Sequence, residues 1–156
     1  AVQDPVLIKV NNIPLALEVF TLSHHPSDKK GERKLKATTE YYLEAQEHHS
    51  IKEGTIIRLM DAMNIKKINS DTYEFISTDY EEFKALEQKG PLIHFIPKDG
   101  NEVKAKLLMP DLQQKELICE PGIKHINEGT VIQFERTCFA RLDKQADTPL
   151  FWYSHE

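Results

Sequence analysis

Apolar and polar residues alternate with a period of two along most of the chain, and only one stretch shows a clear helical period. Residues 5–10, PVLIKV, follow the turn signal Asp4-Pro5 and predict a strand. Residues 13–22, IPLALEVFTL, predict a second strand and 35–43, LKATTEYYL, a third, with turn-rich SHHPSDKKGE between them. The polar stretch 44–53, EAQEHHSIKE, predicts a short helix. Gly54 opens TIIRLMDAMNIKKI, and Asn69-Ser70-Asp71 turns the chain into TYEFIST, a hairpin pattern. Residues 79–89 space Tyr80, Phe83 and Leu86 by three, which predicts a helix with Asp79 as N-cap and Gly90 as stop. After LIHFIP, Asp99-Gly100 is the strongest hairpin signal, because this dipeptide supplies the positive backbone angles of a type I′ turn; EVKAKLLMP would form the second arm. Glu120-Pro121-Gly122 turns the chain into last strands at 130–142 and 149–153. Many short strands, frequent turns and one or two short helices predict antiparallel barrels or a sandwich.

One predicted strand is chemically odd. VIQFERTCFARL, residues 131–142, is rich in β-branched and aromatic residues yet holds Gln133, Glu135 and Arg136 in its middle. Ile132, Phe134, Cys138, Ala140 and Leu142 share the parity of Arg136 and read as the core face. Gln133 has the opposite parity. For both polar side chains to reach one ligand, the strand must end, bend or bulge near 134–136.

Composition narrows the picture. The 156 residues suit one domain or two small barrels sharing a chain, and 40% apolar with 29% charged is an ordinary balance. No apolar run approaches the ~20 residues that span a bilayer, so no membrane partner is expected. The stretch opens on Ala1 rather than methionine and runs directly into DPVLIKV, so it is expected to be a piece cut from a longer protein or, failing that, a processed chain. Net charge is −5, which opposes sequence-blind nucleic-acid binding and leaves DNA unexpected. Locally, DKKGERKLK at 28–36 sets Lys29, Lys30, Arg33, Lys34 and Lys36 against only Asp28 and Glu32. Cys119 and Cys138 fit no metal spacing and are expected to be reduced thiols of a cytosolic protein. The adjacent pairs His24-His25 and His48-His49 point to opposite faces on a strand and chelate poorly, so no metal site is expected. There is no glycine-rich phosphate loop. His94 reads as a packed or rim histidine. Pattern and composition alone give a β module without visible catalytic apparatus.

Several segments together resemble the C-terminal region of archaeal and eukaryotic-type glutamyl-tRNA synthetases and their glutaminyl relatives. They are AVQDPVLIKV, HHPSDKKGERKL, GTIIRLMDAMNI, PLIHFIP, VKAKLLMPD and EGTVIQFERTCFARLD followed by FWYSHE, in family order and over nearly the whole chain. The resemblance implies an all-β fold of two small interleaved antiparallel β-barrels, with 1–156 as one anticodon-binding region. It implies that the chain is a non-catalytic piece of a cytoplasmic glutamate-tRNA ligase. The HIGH-like and KMSKS-like motifs of the family's catalytic domain are absent, and HHPS at 24–27 is no substitute. ATP and magnesium would serve the full-length enzyme, with no cofactor in this chain. The implied partners are the tRNA(Glu) anticodon loop and the enzyme's own N-terminal catalytic domain.

By resemblance, Gln133 and Arg136 contact an anticodon base, and Arg58 lies near it. Glutamine offers a donor and an acceptor to a uracil edge, and arginine can stack on a splayed base or pair with phosphate. Lys29, Lys30, Arg33 and His49 are candidate backbone contacts. Glu135 is expected to pair with a basic side chain or face solvent. The glutaminyl branch carries an arginine where Met60 stands and a Lys-Arg pair where His49 and Ser50 stand, and these departures favour the glutamyl reading. The alternatives are a glutaminyl C-terminal region, a protein-docking β-barrel and a small-molecule-binding barrel. The leading reading requires Arg58, Gln133 and Arg136 to converge on one exposed concave surface.

Overall fold

The computed structural model describes residues 1–23 and 31–155. Its strands are β1 (Val2–Gln3), β2 (Pro5–Asn11), β3 (Val19–Ser23), β4 (Glu32–Lys36), β5 (Glu40–Glu44), β6 (Ile56–Leu59), β7 (Met63–Lys67), β8 (Thr72–Ser77), β9 (Leu92–Ile93), β10 (Ile96–Pro97), β11 (Val103–Leu108), β12 (Gln114–Cys119), β13 (Val131–Phe134), β14 (Cys138–Lys144) and β15 (Leu150–His155). Helices α1 (Ala45–Ser50) and α2 (Tyr80–Ala85) and a 3-10 turn at Pro121–His125 complete the regular structure. Among the described residues, no helix is long and apolar enough to cross a membrane.

The strands form a seven-stranded sheet ordered β10-β5-β2-β8-β7-β6-β9, a six-stranded sheet ordered β1-β12-β11-β15-β14-β13, and the ribbon β3–β4. The two larger sheets curl into half-barrels, so the fold is all-β. Three pairs nonetheless run parallel: β2 with β8, β6 with β9 and β11 with β15. The chain begins in the six-stranded sheet, where β1 pairs with β12 through Val2↔Ile118. It then builds the whole seven-stranded sheet and returns to the first at β11. The two units are thus interleaved through their first strand.

Alternating burial follows the sequence pattern. In β11, Val103, Ala105 and Leu107 are buried while Lys104 and Lys106 are exposed. One core packs Ile8, Tyr41, Leu43, Ile65, Tyr73 and Phe95 inside the seven-stranded sheet. A second packs Leu107, Leu117, Phe134, Leu142 and Phe151 inside the six-stranded one. A small third cluster of Val2, Ile96 and Ile118, backed by Tyr42, draws on both sheets. Each fully buried aliphatic chain contributes roughly 1.5–3 kcal/mol, so this junction fixes how the two units meet. Both cysteines are buried free thiols in the second core, and burial pushes Cys119 up to about 11.

Several expected elements differ. Asp99-Gly100 closes no hairpin: β10 pairs with β5, whereas β11 pairs with β12 and β15, so the dipeptide bridges the two sheets. A type I′ turn needs positive φ at both central residues, and here Gly100 has it (86°) while Asp99 does not. Residues 13–18 are not strand, because Leu17 N–H donates to Pro14 O at 2.9 Å in a turn. The stretch 35–43 breaks at Thr38, whose hydroxyl donates to Glu40 O at 2.6 Å and lets the chain leave the ribbon for the larger sheet. Helix α2 starts as expected, with the Asp79 carboxylate accepting from Glu81 N–H at 2.7 Å, but ends at Ala85 rather than running to Gly90.

Candidate nucleic-acid interface

Residues 131–142 fold as a hairpin, not as one strand. β13 and β14 pair from Val131↔Arg141 to Phe134↔Cys138, leaving Glu135, Arg136 and Thr137 as the loop. Thr137 N–H donates to Phe134 O at 2.9 Å. Arg136 is the third residue of that turn and has a φ of 62°, in the left-handed region usually given to glycine or asparagine. The turn takes Arg136 out of the core-facing parity of its neighbours. Phe134 and Cys138 are buried, while Gln133 and Arg136 are exposed. The break that two residues of opposite parity require is present at the expected place.

Gln133 and Arg136 both line a cleft of about 590 Å³ between the two half-barrels. Ile123, Ile126, Ile132 and Phe134 give it apolar walls. Arg33 from β4, Asp61 from the β6–β7 turn, His94 from the β9–β10 link, Glu120 and Glu135 supply the polar groups. Charge is closely interlocked there. Arg33 Nε lies 3.1 Å from Glu120 Oε1, and its Nη2 lies 3.6 Å from Glu135 Oε2. Glu135 therefore has the basic partner expected of it. His94 Nδ1 is 3.8 Å from the same carboxylate oxygen. Burial first, and then nearby positive groups including Arg33 and Arg136, hold His94 well below the ordinary histidine range, so its ring is neutral at pH 7.

Arg136 reaches across to the seven-stranded sheet. Its Nη1 donates to Leu92 O and lies 4.0 Å from the Met60 sulfur, and its Nη2 lies 3.7 Å from Glu47 Oε1 of α1. Burial raises the Glu47 carboxyl above its usual range, and Arg136 partly opposes that rise. Met60 thus offers a soft, uncharged contact where a second arginine would repel Arg136. None of these partners is close to Arg136 in sequence, Leu92 being 44 and Met60 76 positions away, so no local signal announces them.

Among the described residues, the charged side chains lining the cleft are Arg33 and Arg136 with Asp61, Glu120 and Glu135, and the Ala1 amino terminus lines it too. A phosphate entering it would meet those three carboxylates. An uncharged base edge could instead be met by the amide of Gln133 and the donor fork of Arg136.

The other expected residues divide. Arg58 does not line the cleft and is only 6% exposed. Its Nη1 donates to Asn64 Oδ1 at 2.8 Å and to Thr78 O at 3.2 Å, and its guanidinium lies 5.2 Å over the Tyr80 ring. Asn64 passes the network on, donating to Ser77 Oγ at 2.9 Å and to Asp79 O at 2.7 Å. The expected three-residue convergence therefore holds for Gln133 and Arg136 and is corrected for Arg58, because burying a guanidinium requires internal acceptors that occupy its donors. Arg33 joins the cleft. His49 is exposed near the end of α1 and does not line it. Lys29, Lys30 and the pair His24-His25 lie outside the described residues.

Two family models described as "tRNA synthetases class I (E and Q), anti-codon binding domain" match residues 1–81 and 72–143. The glutamate-tRNA ligase of Methanobrevibacter smithii is 34% identical over 99% of the chain, which covers 27% of that protein. The enzyme of the same name from Methanocaldococcus jannaschii is 36% identical over 82% of the chain and 23% of its own length. That of Hyperthermus butylicus is 28% identical over 92% of the chain and 26% of its own length. The chain thus spans about a quarter of the length of these curated relatives. It belongs to the anticodon-binding domain family of the class I tRNA synthetases for glutamate and glutamine.

Proposed function

We propose that the chain reads the anticodon loop of tRNA(Glu) as part of a cytoplasmic glutamate-tRNA ligase. On this reading residues 1–156 form one anticodon-binding region of two interleaved half-barrels. Ligation of glutamate, with ATP and magnesium, belongs to a catalytic domain outside this sequence. The observation that carries the reading is that Gln133 and Arg136, of opposite parity in the sequence, line one cleft, with Arg136 in a left-handed turn. The glutamyl choice over the glutaminyl one rests on the relatives, each of those compared being a glutamate-tRNA ligase.

Gln133 is the base reader. Its amide offers complementary donor and acceptor groups to a uracil edge splayed out of the loop. Arg136 swings from Leu92 O and Glu47 to the same nucleotide. Arg33 stays between Glu120 and Glu135 at the wall of the cleft. Arg58 acts as a positioning residue, holding the β6–β7 hairpin against the start of α2. Lys29, Lys30 and His49 are backbone contacts on the same proposal.

The test is a low-salt titration of the chain with a labelled glutamate-tRNA anticodon stem-loop. A second loop has its middle uracil replaced, and Gln133→Ala and Arg136→Ala are run in parallel. The expected result is uracil-dependent binding that both variants lose. Equal affinity for the two loops would refute base reading.

A further inference from the structure

The outer face of the six-stranded sheet carries an arrangement that the cleft does not use. Val131, Arg141, Trp152 and Leu108 are register partners in one row across β13, β14, β15 and β11. The adjacent row is Gln133, Phe139 and His155. Register partners share a face of the sheet, and the residues of opposite parity, including Phe134, Ala140, Leu142 and Phe151, are buried. Trp152 is 44% exposed. The Phe139 and His155 rings stack at 4.6 Å with 7° between their planes. The Arg141 guanidinium lies 5.5 Å over the Trp152 ring, and Arg141 donates to Asp143 at 3.1 Å. A flat ring stack and a cation–π contact therefore sit side by side on the outer face. Gln133 belongs to the second row and also lines the cleft, so platform and cleft are continuous.

We propose that this face is a stacking platform for unpaired RNA nucleotides that flank the base read in the cleft. The proposal rests on the reading of the cleft as a base reader. Indole, imidazole and guanidinium planes accept the face of any base, so the platform adds affinity without sequence preference. An added base extends either contact by one layer. The outward residues of the same sheet include Lys104, Lys106 and Arg141 against Glu116 and Asp143, a cationic excess in a chain of net −5. That balance suits a polyanion. An apolar protein surface pressed onto it would desolvate the three cations.

Trp152 is the sole tryptophan, so its emission reports the platform directly. The chain is titrated with the glutamate-tRNA anticodon stem-loop and, separately, with an adenylate hexamer that carries no anticodon. Labelled-RNA anisotropy measures affinity in parallel. Both RNAs are expected to quench Trp152, the hexamer the more weakly. Trp152→Ala weakens stem-loop binding by about tenfold, and Trp152→Phe restores it. The proposal is overturned by stem-loop binding that leaves Trp152 emission and the Trp152→Ala affinity unchanged, or by quenching with neither RNA. Quenching without discrimination of the middle uracil would keep the platform and remove the cleft reading. Discrimination without quenching would do the reverse.

Discussion

Arg136 gives a comparison in which the unknown contributions cancel. Replace it once by alanine and once by glycine. Both variants lose the contacts to Leu92 O, Glu47 and Met60. Only alanine must still hold a Cβ at a φ of 62°. The left-handed conformation costs an L-residue about 1–2 kcal/mol. The greater freedom of glycine in the unfolded chain takes back about 0.4–1 kcal/mol. Arg136→Gly is therefore more stable than Arg136→Ala by about 0.5–1 kcal/mol, which for a chain of this size is roughly 1–4 °C in Tm. Urea midpoints at equal m-value measure the difference. RNA affinity falls equally in both, because neither retains the guanidinium. If Arg136→Ala is the more stable of the two, the turn is not held in the left-handed region, and the account of how Arg136 comes beside Gln133 fails. If glycine preserves RNA affinity, the side chain has no part in recognition.

Three other outcomes follow from buried polar groups. Arg58→Met leaves Asn64 Oδ1 and Thr78 O without their donor and should cost about 2–3 kcal/mol in urea unfolding, while discrimination of the middle uracil survives in the folded fraction; lost discrimination at full stability would restore Arg58 as a direct contact. Lys67 Nζ donates to His48 O at 3.1 Å and Ile51 O at 3.0 Å, closing the C-terminal end of α1. Lys67→Met should cost about 2 kcal/mol and speed hydrogen exchange at the Ile51 amide, and unchanged exchange there would refute the capping role. His48 is held below its ordinary value, by burial first and the Lys67 charge second, and His94 further below. The unfolded imidazoles take protons near pH 6.5 while the folded ones resist, so the unfolded chain binds more protons and stability falls as pH drops below about 6.5. Urea midpoints at pH 7.5 and 5.5 should show the loss, and His48→Gln should shrink it.

What the sequence revealed was local. Asp79 is legible as an N-cap because its carboxylate bonds backbone two residues on. The period-two stretches are legible because one face of each strand is buried. Sheet membership is not. Asp99-Gly100 has the composition of a hairpin turn, yet the strands on either side belong to different sheets, a choice made by β5 and β12 far away in the chain. Gly90 reads as a helix stop, but its role is close approach: a Cβ there would meet Ile57 Cγ2 at 2.7 Å and Thr55 Cγ2 at 2.9 Å. At the site, the odd chemistry of QFER and the need for a break near 134–136 were both visible, since parity is a local property. The partners Glu47, Leu92 and Glu120 were not, because they meet Arg136 and Arg33 only when the two half-barrels close on each other. The stacked pair Phe139–His155 was hidden for the same reason, with its register shifted by the irregularity between Phe139 and Ala140.

The acidity of the chain then becomes part of the proposed recognition rather than an obstacle to it. On the proposed reading, the carboxylates Asp61, Glu120 and Glu135 among the described lining residues disfavour a phosphate more than an uncharged base edge. Glu120 and Glu135 hold the Arg33 guanidinium in place, so on the proposed reading less side-chain freedom is lost on binding. They also disfavour entry of any anionic group that could compete for Arg33 or Arg136. On the same proposal a duplex, which presents phosphate before base edge, is disfavoured in the cleft. A loop with splayed bases can enter while its backbone stays outside. Cationic side chains are correspondingly displaced outward, to the exposed positions of β4 and β11, Lys34, Lys36, Lys104 and Lys106. The proposal thus assigns affinity from phosphate and discrimination from base edges to different surfaces of one small body. A net charge of −5 is compatible with the proposed reading of RNA, because the residues assigned to the base edge do not have to attract phosphate.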